Sequence, residues 1–236
     1  GSVSQFDNYS PENTVHVDAF LFDEEAVDEL VEEGKLSRNM CLDCGSKNTQ
    51  PLNFISHSAS RLQLQWLFEY GLKGRLDGKT IVDVGSRLGA VLYTAHMYSS
   101  AKKIVGVEMN KFFCDLTASM IKKYGMTDRV ESICADISIR GDLLSSADVI
   151  VMNNVFEFFI DKPEQQRIWQ FVRKHVSKKG TLFVTSPSLE SQFEQANVDI
   201  SIEKWVRAIP HDDMLLQQYE EDDAEDIKNL FLYEVV

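Results

Sequence analysis

The alternation of segment types from Thr80 onward is the feature that most limits how this chain can fold. Five short apolar segments have the composition of buried strands: 81–85, 103–109, 130–137, 147–155 and 181–187. Between them lie three segments with helical periodicity: 89–99, 111–124 and 163–178. Because parallel strands need a crossover connection, usually a helix, this alternation predicts a mostly parallel sheet with helices on both faces.

The end of the chain departs from this alternation. Residues 203–210 and 229–236 read as two further strands, and the acidic stretch 211–228 between them shows no clear helical pattern. Two strands joined without a helix predict an antiparallel pair with a long insert. The sequence therefore predicts an α/β fold with a doubly wound, mostly parallel, seven-stranded sheet and an antiparallel strand at the C-terminus.

Residues 1–59 have a different character. They read as irregular except for one helix, which begins after the capping residue Asp23 and ends at Gly34. We predict two domains from this contrast: an N-terminal segment, 1–59, that caps a site or contacts the substrate, and an α/β domain, 60–236.

Composition and charge narrow the classes of partner. The chain has 236 residues, of which 44% are hydrophobic and 26% charged, and no apolar run approaches the roughly 18 residues of a membrane span. A membrane partner is therefore not expected. The net charge of −13 argues against binding to nucleic acid. It is compatible with a basic protein or peptide as partner, although it also serves solubility.

The cysteines indicate the compartment. There are four, Cys41, Cys44, Cys114 and Cys134, and this pattern is not typical of a disulfide framework in a chain of this length. Free thiols favour a reducing environment, so we expect an intracellular protein, cytoplasmic or nuclear. Cys114 falls on a predicted helix and Cys134 on a predicted strand, and both are expected in the core.

A possible metal site lies in the N-terminal segment. Cys41 and Cys44 are separated by two residues, a spacing that lets two thiolates bind one zinc ion. A structural zinc site needs two more ligands, and His57 and His16 are the nearest candidates. The alternative is a tight turn that carries two reduced thiols.

The first predicted strand of the α/β domain runs into the loop Asp83-Val84-Gly85-Ser86-Arg87-Leu88-Gly89. A strand, a glycine-bearing turn and a helix form a nucleotide-type pocket at the carboxyl edge of a parallel sheet. Gly85 allows the backbone to approach a ligand closely, and Gly89 allows the next helix to pack close. The dinucleotide and P-loop fingerprints are both absent.

Acidic residues also end the next two predicted strands. Glu108 precedes Met109 at the end of the second strand, and Asp136 precedes Ile137 at the end of the third. A carboxylate at Glu108 can accept both hydroxyls of a ribose, and one at Asp136 can accept from an adenine amino group. A single acidic residue after a strand is usually a helix cap or solvated. Three at the ends of successive strands indicate a binding site.

On these residues the chain resembles the class I S-adenosylmethionine-dependent methyltransferases, from about Ser60 to the end. The resemblance implies S-adenosylmethionine as cofactor. It places the methionine moiety near Asp83, Gly85, Ser86, Arg87 and Gly89. It places the ribose at Glu108 with Met109, and the adenine at Asp136 with Ile137. Arg87 departs from the usual glycine-rich loop.

The fourth predicted strand ends in Val151-Met152-Asn153-Asn154-Val155-Phe156, at the place where this superfamily transfers the methyl group. An asparagine carbonyl can accept a hydrogen bond from an amine and so aim its lone pair. Phe156 can favour a developing cationic amine. The pair Asn153-Asn154 resembles that of non-SET lysine methyltransferases of the disruptor-of-telomeric-silencing type. Asp83-Val84-Gly85-Ser86 with Gly89, and Gly106-Val107-Glu108, look similar to that family too. The alternative is that one asparagine merely ends the strand.

Three functions remain open at this point. The first is methylation of an amine nitrogen on a protein side chain, with the acidic stretch 212–226 steering a basic peptide. The second is methylation of a small-molecule amine. The third is a catalytically silent scaffold, which the retention of Asp83, Glu108 and Asp136 disfavours. Nucleic-acid methylation ranks lower, because the prolines that such enzymes place after the asparagine are missing here.

Overall fold

The computed structural model of the protein describes residues 10–42, 49–153, 155–156 and 160–236. The chain divides into two compact units, one up to Ser60 and one from Arg61 onward. The smaller unit contains two short two-stranded sheets. In one, Thr14–His16 pairs in parallel with Asn53–Ile55. In the other, Asn39–Cys41 pairs in antiparallel fashion with Thr49–Pro51.

The smaller unit also contains the helix predicted from its cap. The helix spans Glu24–Glu32, and the Asp23 side chain accepts a 3.0 Å hydrogen bond from the Ala26 N–H. This contact satisfies one of the free N–H groups that every helix leaves at its start, which is why an aspartate begins it. The predicted start of the helix is confirmed.

The larger unit is built on one seven-stranded sheet. Its strands are β1 (Thr80–Val84), β2 (Lys103–Glu108), β3 (Val130–Cys134), β4 (Val149–Asn153), β5 (Leu182–Ser186), β6 (Val206–Ile209) and β7 (Phe231–Val235). Their order across the sheet is β6-β7-β5-β4-β1-β2-β3. β7 is antiparallel to both neighbours and the other pairs are parallel. The predicted fold class is confirmed.

Helices connect these strands. The first, α1 (Arg61–Trp66), continues directly into a π-helical turn, Leu67–Gly71. The others are α2 (Ala90–Tyr98), α3 (Lys111–Lys123), α4 (Gly141–Ser146), α5 (Lys162–His175), α6 (Leu189–Ala196), α7 (Asp213–Leu216) and α8 (Glu221–Lys228). Nearly every residue of β1, β4 and β5 is buried, because the sheet is covered on both faces.

The prediction of an acidic insert without helices is wrong. Two short helices, α7 and α8, lie between β6 and β7. The Asp212 side chain caps α7 by accepting from the Met214 and Leu215 N–H groups. The first turn of α8 is acidic, which suits the positive end of the helix dipole. Each helix buries only one residue, Leu216 in α7 and Ile227 in α8, which is too few to reveal a helical periodicity in the sequence. The short helices α4 and α6 were also missed, although α6 buries Leu189, Gln192, Phe193 and Ala196 at helical spacing.

The topology fixes where a site can form. β1 lies between β2 and β4, so the chain winds outward in both directions from β1 and leaves a crevice at the carboxyl ends of β1 and β4. The carboxyl ends of β1–β6 share this edge of the sheet. Because β7 is antiparallel and begins at the same edge, the acidic insert also emerges there. In the ranges that the structure describes, no helix is both long and apolar enough to cross a bilayer.

Candidate active site

The glycine loop turns from β1 into α2 and is held against β2. The N–H groups of Gly85 and Ser86 donate to the Val107 carbonyl at 2.8 and 3.2 Å. Gly85 and Gly89 have φ angles of +73° and +86°, a region that favours glycine. A Cβ on Gly89 would lie 2.6 Å from Cζ of Tyr93, so a side chain at this position would have to displace the Tyr93 ring.

Gly106, in the middle of β2, was given no role of its own in the sequence-based prediction. It lies opposite Asp83 in the register of β1 and β2. A Cβ at this position would lie 2.6 Å from Leu92 Cδ1 and 2.7 Å from Ser86 Oγ. Gly106 therefore makes room for the start of α2 and for the loop. A glycine inside a predicted strand was the available signal, since it often marks a close approach.

Arg87 is fixed at three points although it is not a glycine. Its φ of +41° is uncommon for such a residue. Its N–H donates to Glu108 Oε2 at 2.9 Å, and its carbonyl accepts from Thr117 Oγ1 at 3.0 Å. Its guanidinium carbon lies 5.2 Å from the centre of the Phe113 ring, within the range of a cation–π contact. These contacts hold the loop in a conformation that its own sequence does not favour.

Glu108 ends β2 and organises the chain around it. It is only 9% exposed. Besides the contact with Arg87, its Oε1 accepts from the Asn110 N–H at 2.8 Å. Each carboxylate oxygen can accept two hydrogen bonds, so capacity remains on both oxygens for the hydroxyls of a ligand. The predicted contact with a ribose stays a prediction.

Asp83 is the most deeply buried carboxyl group of the loop region. It is 3% exposed and lies between Gly106 and Val151 in the sheet register. Burial raises its pKa well above the usual value, and the nearby charge of Glu108 raises the pKa further. Two acidic side chains so close together favour a positively charged ligand nearby.

Asp136 follows β3 and begins a 3₁₀ turn, Ile137–Ile139. Its Oδ1 accepts from the Ser138 N–H at 2.8 Å, so it acts as a local cap. The side chain of Ile137 is buried, whereas Met109 and Ile139 are 68% and 75% exposed. The second and third strand ends thus present both carboxylates and exposed apolar surface. That combination suits an adenosine group.

Two of the three predicted catalytic residues, Asn153 and Phe156, lie within the described ranges. Asn153 is the half-buried last residue of β4 and is paired with Ser186 of β5. Asn154 lies outside the residues that the structure describes. Phe156 is 3% exposed, and its ring meets Trp169 edge to face with the ring centres 5.5 Å apart. The position of the Phe156 ring favours core packing over contact with a substrate amine.

The predicted zinc site is only partly described. Cys41 ends a strand of the smaller unit, and Cys44 is among the residues left undescribed. His57 Nε2 lies 3.0 Å from His16 Nδ1, with the two rings stacked 5.1 Å apart. Across the described ranges, no group of three or more His, Cys, Asp or Glu side chains could hold a metal ion. Zinc binding stays a prediction, because Cys44, one of its expected ligands, lies outside the described residues.

A cavity of about 610 Å³ lies elsewhere in the larger unit. It is an open groove over β6 and β7, and Glu190, Arg207 and Tyr233 are among its lining residues. The Tyr233 hydroxyl donates to Glu190 at 2.8 Å and accepts from the Leu189 N–H. The Leu189 N–H, the Tyr233 hydroxyl and the Glu190 carboxylate are therefore hydrogen-bonded in a chain. We place the candidate site at the glycine loop instead, because the buried carboxyl groups converge there.

No family model matches the sequence, and no curated protein matches it significantly. Solved structures do share its fold. A Clostridium thermocellum protein assigned as an rRNA methylase is 11% identical, with a TM-score of 0.51 over 74% of this chain and 96% of that one. A Staphylococcus aureus protein assigned as a caffeoyl-CoA O-methyltransferase is 11% identical, with a TM-score of 0.50 over 89% and 91%. TrmN from Thermus thermophilus, also 11% identical, has a TM-score of 0.50 over 73% of this chain and 48% of that one.

These likenesses establish the fold. The chain has the Rossmann-like fold of the class I S-adenosylmethionine-dependent methyltransferases, as its sequence predicted. At 11% identity they say nothing about this chain's substrate. The local resemblance to non-SET lysine methyltransferases is not confirmed. It rests on Asn153-Asn154 together with Asp83-Val84-Gly85-Ser86, Gly89 and Gly106-Val107-Glu108.

Proposed function

We propose that this protein is an S-adenosylmethionine-dependent methyltransferase that acts on an amine nitrogen of a protein side chain. One observation carries the proposal. The glycine loop, Asp83, Glu108 and Asp136 all lie at the carboxyl edge of the sheet, the edge at which the crevice between β1 and β4 opens. That is where this type of sheet binds its ligand.

The residues at this edge fit the cofactor. Ser86 Oγ is buried and has no hydrogen-bond partner among the residues that the structure describes. A buried hydroxyl of this kind is costly unless a ligand or water satisfies it. Glu108 retains acceptor capacity for a ribose diol, and Met109 and Ile139 offer apolar surface to a base. The buried carboxyl groups of Asp83 and Glu108 favour a cationic ligand such as a sulfonium.

The cofactor, when bound, supplies a methyl group on a positively charged sulfur. The contribution expected of the protein is alignment of a neutral amine with that methyl. Asn153, at the end of β4, is next to β1 in the sheet and therefore close to the glycine loop. Its amide carbonyl, or that of Asn154, would accept a hydrogen bond from the amine. This contact directs the nitrogen lone pair without any proton transfer to the side chain.

The charge around the site supports a basic protein or peptide as substrate. Residues 212–226 contain eight Asp and Glu residues and no Lys or Arg. The insert leaves β6 and enters β7 at the edge where the site lies, and most of its acidic residues are exposed. Such a field raises the rate at which a positively charged partner meets the site.

RNA fits this edge less well, although one structural neighbour is assigned as an rRNA methylase. An RNA substrate would bring its phosphates toward the same acidic insert. Repulsion between these phosphates and carboxylates would weaken binding, most strongly at low salt. A lysine, a histidine or an N-terminal amine on a basic protein does not meet this penalty.

Two measurements test the proposal. Calorimetry should show binding of S-adenosylmethionine to the intact protein, and the matched variant Glu108→Ala should bind more weakly. Incubation of a cell extract with protein and labelled cofactor should then place the label in material that protease removes and nuclease does not. No binding by the folded protein would reject the cofactor assignment. Binding without any transfer would indicate a silent scaffold, and label in nuclease-sensitive or small-molecule material would reject the protein substrate.

A further inference from the structure

Two thiols lie beside the peptide that joins Glu108 to Met109. Cys134 is the last residue of β3 and stands opposite Glu108 in the register of β2 and β3. Its Sγ points to the Met109 carbonyl at 3.9 Å. Cys114, near the start of α3, donates from its Sγ to the Glu108 carbonyl at 3.2 Å. The two sulfur atoms therefore reach neighbouring carbonyl groups from two different elements.

The two thiols differ in their environment. Cys114 is buried, whereas Cys134 is exposed, which corrects the expectation that both belong to the core. Burial raises the pKa of Cys114 to about 12, and a hydrogen bond with the Cys134 thiol contributes to that rise. An oxidant in solution can reach Cys134 but not Cys114. Cys114 is placed to react next, because its sulfur and that of Cys134 reach the carbonyl groups of two adjacent residues, Glu108 and Met109.

We propose that Cys114 and Cys134 are an oxidation site that forms a disulfide on exposure to a peroxide. In the first step the Cys134 thiolate attacks hydrogen peroxide, takes up one oxygen as a sulfenic acid and releases hydroxide. In the second step the Cys114 sulfur attacks the Cys134 sulfur, and one water leaves as the S–S bond forms. The two thiols lose two electrons in total and the peroxide gains them.

The bond would act on the adenosine side of the site. It removes the hydrogen bond from the Cys114 thiol to the Glu108 carbonyl and ties α3 to the end of β3. Glu108 also holds the N–H groups of Arg87 and Asn110, so a shift of its backbone moves the loop. Asp136 follows Cys134 by two residues. This consequence for cofactor binding rests on the proposed function, whereas the bond itself does not.

Mass spectrometry tests the bond directly. A variant with Cys41→Ser and Cys44→Ser retains only Cys114 and Cys134. This variant is treated with hydrogen peroxide and digested without reduction. We expect one cross-linked peptide pair joining Cys114 to Cys134, with two hydrogen atoms lost, that thiol reductant reverses. In Cys114→Ser, Cys134 should stop at a sulfenic acid that dimedone traps. If both thiols stay open to alkylation after unfolding, or Cys134 is over-oxidised without cross-linking, the proposal is wrong.

Calorimetry tests whether the disulfide weakens cofactor binding. The cross-linked protein should bind S-adenosylmethionine at least about tenfold more weakly than the reduced protein, and reductant should restore the affinity. Cys134→Ser should keep its affinity after peroxide treatment. Unchanged affinity in the cross-linked protein would overturn the regulatory part of the proposal. Absence of binding by the reduced, folded protein would instead reject the proposed function, and the cross-link would still be judged by its mass.

Discussion

The backbone N–H of Arg87 donates a 2.9 Å hydrogen bond to Oε2 of Glu108. The contact joins the glycine loop after β1 to the end of β2, two parts of the chain that are 21 residues apart. The other oxygen of Glu108 accepts from Asn110, the capping residue of α3. One carboxylate therefore positions the loop, the strand end and the following helix, in addition to any ligand that it binds.

Removal of this carboxylate should weaken cofactor binding strongly. Charge-assisted hydrogen bonds to a buried ribose diol contribute about 1.5–3 kcal/mol. Glu108→Ala should therefore raise the dissociation constant of S-adenosylmethionine roughly tenfold or more, and it should also lower the melting temperature because two backbone N–H groups lose their acceptor. Calorimetry and thermal unfolding measure the two effects. The matched control is Glu131→Ala, which removes an exposed carboxylate from β3. Unchanged affinity in folded Glu108→Ala would remove Glu108 from the site.

The hydroxyl of Thr117 should act on the site through Arg87. Thr117 is fully buried, and its donation to the Arg87 carbonyl holds the loop from the side of α3. Thr117→Val keeps the shape of the side chain and leaves that carbonyl without its donor, at a cost of about 1–3 kcal/mol. We expect weaker cofactor binding in Thr117→Val. Thr117→Ser restores the donor and should recover affinity even where the lost methyl group lowers stability. Equal affinity in both variants would show that Thr117 is only a packing residue.

The strands of the sheet and the edge at which the acidic residues of the candidate site lie were predictable for a common physical reason. Strands covered on both faces appear as continuous apolar runs, as in β1 and β4, and their carboxyl ends must meet at one edge. Asp83, Glu108 and Asp136 could therefore be assigned to one edge from their positions alone. The contacts of Arg87 could not. They depend on the left-handed backbone of a residue other than glycine and on Thr117, which is 30 residues away.

The direction of the Phe156 ring is a second feature that the sequence could not predict. An aromatic residue after a strand can face a ligand or turn back into the core, and both positions have the same pattern. Its ring packs on Trp169 of α5, a contact that only the tertiary structure reveals. The two thiols beside Glu108 are a third case, since Cys114 and Cys134 belong to different elements and come together only in the folded chain.

Asp83 should make the stability depend on pH. Burial raises its pKa in the folded protein above the value near 3.8 of an exposed aspartate. As the pH rises above 3.8, the unfolded chain loses this proton first, so the free energy of unfolding falls until the pH has passed the raised pKa. Asp83→Asn removes this titration and should flatten the fall. Denaturant unfolding at several pH values above 3.8 measures this change in the free energy of unfolding. Asp77→Asn, at an exposed position, is the control. An identical slope in Asp83→Asn and the parent would contradict the assignment.

The acidic insert should matter for a basic substrate and not for the cofactor. Changing Glu220, Glu221, Asp222 and Asp223 to their amides removes four negative charges near the start of α8. The Michaelis constant for a basic protein should rise, and its dependence on salt should weaken, because screened attraction no longer contributes. Cofactor affinity should stay the same.

The control for the insert removes four exposed acidic residues elsewhere in the larger unit. These are Asp77, Glu131, Glu194 and Asp199. Both variants carry the same change in net charge, so a difference between them reports the position of the charge. Equal effects in the two variants would indicate a general effect of net charge and would argue against steering by the insert.

The asparagine pair should matter most in the transition state. If the carbonyl of Asn153 or Asn154 aligns the amine, its loss lowers turnover more than it raises the Michaelis constant. Alanine at the operative position should cost about 2–4 kcal/mol, which is roughly a 30- to 900-fold loss in rate. Aspartate keeps an acceptor but adds charge, so it should retain part of the activity that alanine loses. Cofactor affinity should change little in either case.

The alternative, in which one asparagine only ends β4, predicts the opposite pattern. Asn153 is half-buried and paired in the sheet beside Ser186, so a purely structural role would appear as a lower melting temperature. Turnover per folded molecule would then stay near normal. Melting temperature, cofactor affinity and turnover, measured on the alanine and aspartate variants at both positions, separate the two roles. Normal turnover in both alanine variants, and in the variant that carries both changes, would exclude alignment of the amine by this pair, because no side-chain carbonyl would then remain at either position.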